Sequence, residues 1–165
     1  MVNFKDGDFS HLAGFHYLKD IQIPRDRDKT IENIIEKHII TDELLSKSKI
    51  YRTPTPDLNI PSRINELGLL ECHLDSDNFI RIYQTNHNAK SLIHADYFIE
   101  SQLNGHTTYI FLAKRDDDSE YYRVNSIFEK GSLSYSGTNL YWMLKEKISP
   151  NQNTILLQHK DYISK

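Results

Sequence analysis

Asp96-Tyr97-Phe98-Ile99, then Asn104-Gly105, then Thr107-Thr108-Tyr109-Ile110-Phe111-Leu112-Ala113-Lys114 is the stretch that decides the fold. Asn-Gly between two alternating apolar runs is a strong hairpin signal, because both residues tolerate the positive φ that a tight primed turn needs. Asp116-Asp117-Asp118-Ser119 forms a second turn and leads into Tyr121-Tyr122-Arg123-Val124-Asn125-Ser126-Ile127-Phe128. Three consecutive antiparallel strands make a meander. Phe79-Ile80-Arg81-Ile82-Tyr83 alternates in the same way and belongs beside them.

Upstream of these strands the apolar residues recur at helical spacing. Residues 8–20 read as a helix with Asp8 as N-cap, interrupted at Gly14. Ile31, Ile34, Ile35 and Ile39 form a stripe on a second helix capped by Asp28. Thr41 caps a short third helix, whose Asp42 and Glu43 suit the positive end of the dipole. Thr53-Pro54-Thr55-Pro56 is a stiff extended break. A further helix runs from Pro61 to Leu67, with Gly68 just past its end. Period two sets in from about residue 69. A last helix is expected over Leu140–Lys147, and a terminal strand over Thr154–Gln158.

This order predicts one α+β domain over 1–165. Its N-terminal helices (about 1–68) pack on a small antiparallel meander sheet (about 69–165). The opposite sheet face is expected to stay partly open, as a surface where a polymer could lie.

Composition narrows the function classes. Cys72 is the sole cysteine, so no internal disulfide forms, which suits a reducing cytoplasm. No apolar run reaches the roughly 20 residues of a membrane helix, and the first residues lack a signal peptide's pattern. With a net charge of −3, bulk attraction to nucleic acid is not expected, and any such binding must rest on a local site. His73, His87, His94 and His106 show no metal-binding spacing, so no metal site is expected. Gly-rich phosphate loops and a Gly-x-Ser-x-Gly elbow are both missing, and no cofactor is expected.

The chemistry-bearing residues start with Phe9-Ser10-His11-Leu12-Ala13-Gly14-Phe15-His16-Tyr17-Leu18-Lys19. Two imidazoles and an amine are not needed to build a core. His11 is read either as a general acid or base at a cleft edge, or as a buried histidine bonded to backbone. Lys19 either stabilises charge on a phosphate or covers apolar surface with its stem. Arg81 and Tyr83 share one strand face and could grip a phosphate and stack on a base. Lys114 and Arg123 are further cations on neighbouring strands. Ser126 is the polar residue on a face expected to carry Tyr122, Val124 and Phe128, and its hydroxyl needs a partner there.

Phe9-Ser10-His11-Leu12-Ala13-Gly14 with Tyr17-Leu18 resembles the opening of a phage-associated nuclease family, the fourth of the groups named for barnase, EndoU, colicins and RelE. Similar pieces follow in Lys47-Ser48-x-x-Tyr51, the Arg63-Ile64 helix leading to Leu70, Ala95-Asp96-Tyr97, Tyr109-Ile110-Phe111-Leu112 and Asn125-Ser126-Ile127-Phe128. The resemblance implies a metal-independent ribonuclease fold used in conflict between phages, mobile elements and bacteria. It implies RNA as partner, and His11 and Ser126 as site residues. Lys19, Arg81 and Lys114 are added from charge and placement alone. The expected chemistry is acid–base transesterification. The competing reading keeps the fold as a non-catalytic module that binds RNA or a protein, such as an antitoxin or immunity partner.

Overall fold

A computed structural model describes residues 1–56, 58–85, 91–116 and 120–163. Among these residues the chain is mixed α/β, with six α-helices and a five-stranded antiparallel sheet. The helices are α1 (Asp6–Leu12), α2 (Thr30–Ile35), α3 (Asp42–Lys47), α4 (Lys49–Arg52), α5 (Ile60–Gly68) and α6 (Leu70–Asp75). Single 3₁₀ turns cover Phe15–Tyr17 and Arg27–Lys29. The strands are β1 (Asn78–Tyr83), β2 (Tyr97–Leu103), β3 (His106–Lys114), β4 (Tyr122–Glu129), β5 (Gly137–Leu140), β6 (Leu144–Ser149) and β7 (Gln152–Gln158). The main sheet runs β4-β3-β2-β1-β5, and β6-β7 forms a separate hairpin.

The meander is present in the expected register. Asn104 and Gly105 both take positive φ (53° and 81°) and join β2 to β3. Part of the Asp116–Ser119 turn lies outside the described residues, as does His87.

Two clusters cover the two faces of the sheet. Leu12 and Leu70, with Leu67 and Leu74 beside them, pack on Ile99, Ile110, Leu112, Val124 and Ile127. Tyr83, Phe98, Tyr109 and Phe111 form an aromatic layer with Phe128 and Tyr135 on the other face. This second face is therefore not an open platform: Phe98 and Phe111 are fully buried. Ile93, Ala95 and Tyr135, from the segments flanking the strands, pack against it.

Several local expectations change. α1 ends at Leu12 because Gly14 takes φ 78°, so the expected helix over 8–20 is broken into a helix and a 3₁₀ turn. Asp8 is not the cap; it is the third helical residue, and its carboxylate accepts the Lys5 backbone N–H at 2.9 Å. Asp26, rather than Asp28, caps the turn before α2. Only part of the isoleucine stripe faces the core there: Ile34 packs against the cluster of Leu18, Ile40 and Leu45. Ile35 and Ile39 are exposed, while Thr30 and Asn33 are buried.

The segment after residue 69 is helical. Leu70, His73 and Leu74 lie on the sheet side of α6, and the polar His73 concealed that stripe in the sequence. The expected helix over Leu140–Lys147 is instead the end of β5 and most of β6. Strand parity there is carried by charged residues: Lys145 bonds the Ser76 carbonyl at 2.7 Å, and Lys147 pairs with Glu71 and Asp75. The last strand is present as β7, paired with β6.

Candidate active site

The site forms where α1 and the turn after it meet the edge of β4. β4 carries an irregularity opposite Phe111 and Leu112, where Val124 pairs with Leu112, Ser126 pairs with Phe111, and Asn125 is the extra residue. A bulge of this kind re-aims the side chains beyond it. Val124 and Ile127 join the helix-side core, whereas Phe128 joins the aromatic layer. Ser126, opposite Phe111, therefore does not share Val124's face, contrary to plain alternation.

His11 sits in the last turn of α1, where a shallow cleft of about 130 Å³ is lined by Gly7, Asp8, His11, Arg27, Arg123, Val124 and Asn125. The Asp8 carboxylate in this cleft is engaged by Arg115 at 2.6 Å. Burial pushes that carboxyl up, but the Arg115 and Lys5 hydrogen bonds and the charges of Arg115 and Arg123 outweigh it, so Asp8 titrates below its ordinary value.

Gly14 turns the chain so that His16 folds back over His11. The two imidazoles stack at 4.8 Å with planes 12° apart, and the Tyr17 ring lies 3.9 Å from that of His16. A Cβ on Gly14 would meet Arg63 Cδ at 3.3 Å and the Tyr17 ring at 3.4 Å. The absence of that carbon lets the Arg63 side chain of α5 pass. Its guanidinium lies 5.8 Å from the centre of the Tyr17 ring and 5.2 Å from that of Phe128. Arg63 Nη1 donates to Ser126 Oγ at 3.5 Å.

The charge balance of this site is one-sided. Among the described residues, Arg27, Arg63 and Arg123 have no carboxylate within ion-pair distance. Burial lowers the Arg63 pKa, which marks a cation taken partly out of water without a compensating anion. Burial and the charges of Arg27, Arg123 and Arg63 lower the His11 pKa, against a hydrogen bond to the Asn125 backbone that raises it. Burial lowers His16 to about 4, helped by His11, Arg63, Arg27 and Lys19. Cationic surroundings that disfavour imidazolium favour a bound anion.

The predicted residues divide between this cleft and elsewhere. His11, Ser126 and Arg123 lie in or beside it, and exposed Lys19 acts on His16 from its rim. Arg81 does not converge with them. It sits on β1, separated from β4 by β2 and β3, ion-paired with Glu100 and bonded to Asn139. Tyr83 is buried in the aromatic layer, so its ring is closed to a stacking base, and its hydroxyl has no partner among the described residues. Lys114 is exposed at the end of β3, opposite Tyr122.

Sequence reasoning missed Arg63, Arg27 and the pairing of His16 with His11. Arg63 had a signal, because the Arg63-Ile64 pair is one of the pieces that carry the resemblance. His16 had none, since its position depends on the Gly14 turn and a continuous helix would point it away.

Over residues 1–161 the chain matches the family described as phage-Barnase-EndoU-ColicinE5/D-RelE like nuclease4. The protein belongs to this family. The match covers nearly the whole chain, so the cleft and the strands that build it lie inside the nuclease-like region. No curated protein and no solved structure matches the chain. A phage-associated nuclease-like family agrees with a cleft whose charge suits a phosphodiester. No helix among the described residues is long and apolar enough to cross a membrane.

Proposed function

We propose that this member of the phage nuclease-like family is an endoribonuclease on a barnase-like fold, cleaving by acid–base transesterification in the α1–β4 cleft. The observation that carries the reading is the His11 ring in a cleft with Arg27 and Arg123, beside Arg63, with no carboxylate paired to any of the three guanidiniums among the described residues. A neutral imidazole accepts the ribose 2′-hydroxyl proton. The 2′-oxygen then bonds to the adjacent phosphorus, and the bond to the 5′-oxygen breaks as that oxygen takes a proton from an acid. His11, held below its ordinary pKa, is neutral at physiological pH and suited to be the base. Arg63 and Arg123 stabilise the charged phosphorane, and Ser126 holds the Arg63 guanidinium in place. The chemistry needs the 2′-hydroxyl and so selects RNA over DNA. The proposal extends to a role in conflict between phages, mobile elements and bacteria, in which an acidic antitoxin or immunity protein would cover the cationic cleft; the family's phage association and the charge of the cleft support it.

Incubation with RNA in EDTA tests the proposal. The expected product ends in a 2′,3′-cyclic phosphate, a 2′-deoxy substitution at the scissile position blocks it, and His11→Ala loses about 10²–10⁴-fold in rate. Equal cleavage by the variant, or equal cleavage of DNA, would overturn it.

A second reading, binding without cleavage, is favoured by one observation. With both imidazoles depressed, the unliganded cleft holds no imidazolium to act as acid at neutral pH. RNA binding with no cyclic phosphate formed is the outcome that selects it.

A further inference from the structure

The near-parallel stack of His11 on His16 has no structural necessity. His16 is exposed, so the contact covers little apolar area, and it brings two bases together in a field of cations. The groups facing the pair come from every element around it. α1 supplies Asp8, which is tied to Arg115. The turn after α1 supplies Tyr17 and Lys19. The turn before α2 supplies Arg27, α5 supplies Arg63, and β4 supplies Arg123 and the Asn125 backbone. Apart from Asp8, ion-paired with Arg115, and Asp28, whose carboxylate lies against Gly7 of the cleft wall, the charges around the pair are positive.

We infer that the cleft is an oxyanion site that takes up one proton together with its anion, and that the stacked His11–His16 pair carries that proton. The inference rests on the nuclease reading only in using the same cleft. An anion beside Arg27, Arg63 and Arg123 offsets the cationic field that, together with burial, keeps both rings neutral. Two imidazoles at this separation do not both charge, so the pair takes one proton. The loaded pair is then one imidazole and one imidazolium, which are the base and the acid that transesterification requires. His16 becomes a catalytic residue in this scheme, and binding of the phosphate itself assembles the reactive protonation state.

Sulfate is the appropriate probe, because it stays fully ionised across the range and adds no titration of its own. Calorimetric titration of the full chain with sulfate, near pH 6, in two buffers of different ionisation enthalpy counts the protons taken up. The expected result is uptake approaching one proton per sulfate, with affinity falling by up to about tenfold per pH unit as pH rises. His16→Gln, at an exposed position, should reduce the uptake while sulfate still binds, and imidazole C–H resonances of both rings should move together on sulfate addition. Absence of sulfate binding, binding without proton uptake, or uptake unchanged in His16→Gln would each overturn the inference. RNA cleavage without sulfate-linked uptake would sink this inference and leave the nuclease reading standing. Uptake without RNA cleavage would do the reverse.

Discussion

Arg63 on α5 reaches Ser126 on β4 at 3.5 Å, and no carboxylate among the described residues meets its guanidinium. A partly desolvated cation with only a hydroxyl and two aromatic rings for company is a poor stabilising device. The arrangement makes sense as a site held ready for an anion.

Arg63→Met should therefore separate stability from function. Removing an uncompensated cation leaves the melting temperature equal to or above that of the parent, whereas cleavage falls by about 10²–10³-fold. Arg63→Lys keeps charge but loses the fork, and should recover only part of the rate. Thermal melts beside kcat/KM on one RNA substrate check both statements.

Gly14→Ala should cost about 1–2 kcal/mol, because the position is left-handed and the new carbon would press on Arg63 and Tyr17. Denaturant unfolding measures the loss. The same variant should weaken the His11–His16 stack, so proton uptake with sulfate drops as well.

The strands were legible because their signals are local. Asn104-Gly105 dictates its turn whatever surrounds it, and the alternation through Tyr109 and Phe111 needs no partner to be read. Thr41 marked a helix start for the same reason, whereas Gly68, read as the residue past a helix end, is the last residue of α5, with Leu69 as its C-cap. α6 and β6 were not legible, because the residues that set their faces are polar. His73 is buried by hydrogen bonds to residues elsewhere in the sequence, and Lys145 is buried against the Ser76 carbonyl, 69 residues away along the chain. The site was half visible. His11 and Ser126 stood out as polar groups in apolar runs, while Arg63 entered only within the Arg63-Ile64 piece of the resemblance and was given no role. Arg81 carried the right chemistry, but its partner Glu100 could not be seen until the register of β1 on β2 was known.

Arg81→Ala should leave RNA cleavage close to that of the parent, since Arg81 and the cleft lie on opposite sides of β2 and β3. The variant should lose stability by leaving Glu100 without its cation. A large loss of kcat/KM at unchanged stability would move the substrate path onto β1.

His73→Ala should be among the most destabilising single changes. His73 bonds Ser101 Oγ at 3.0 Å and Glu66 at 2.9 Å, and Thr108 donates to the same Glu66 oxygen. Deleting the ring strands these groups in the interior, at a cost of about 2–5 kcal/mol. Urea unfolding would show it, with the cleft residues untouched.

The depressed His16 sets a pH window. Its folded pKa, about 4, lies below the ordinary value of 6.5, so the unfolded chain binds the proton more tightly. The contribution is complete above about pH 6.5, declines as pH falls, and is lost through about pH 4. His11, shifted in the same direction, adds to the slope. His16→Gln should flatten the dependence of the urea midpoint between pH 6.5 and 4. An unchanged slope would show that neither burial nor the surrounding cations depress this ring in the folded chain.

The extra residue in β4 divides one strand into two reading frames, with Val124 in one and Ser126 and Phe128 in the other. Excising the Asn125 codon would splice those frames. Every side chain on one flank of the lesion would then swap layers, sending Phe128 toward the helices and Ile127 toward the rings. A deletion of one residue at this point should therefore be less tolerated than any replacement there, and families that keep this cleft should vary the identity of position 125 more readily than their chain length across it.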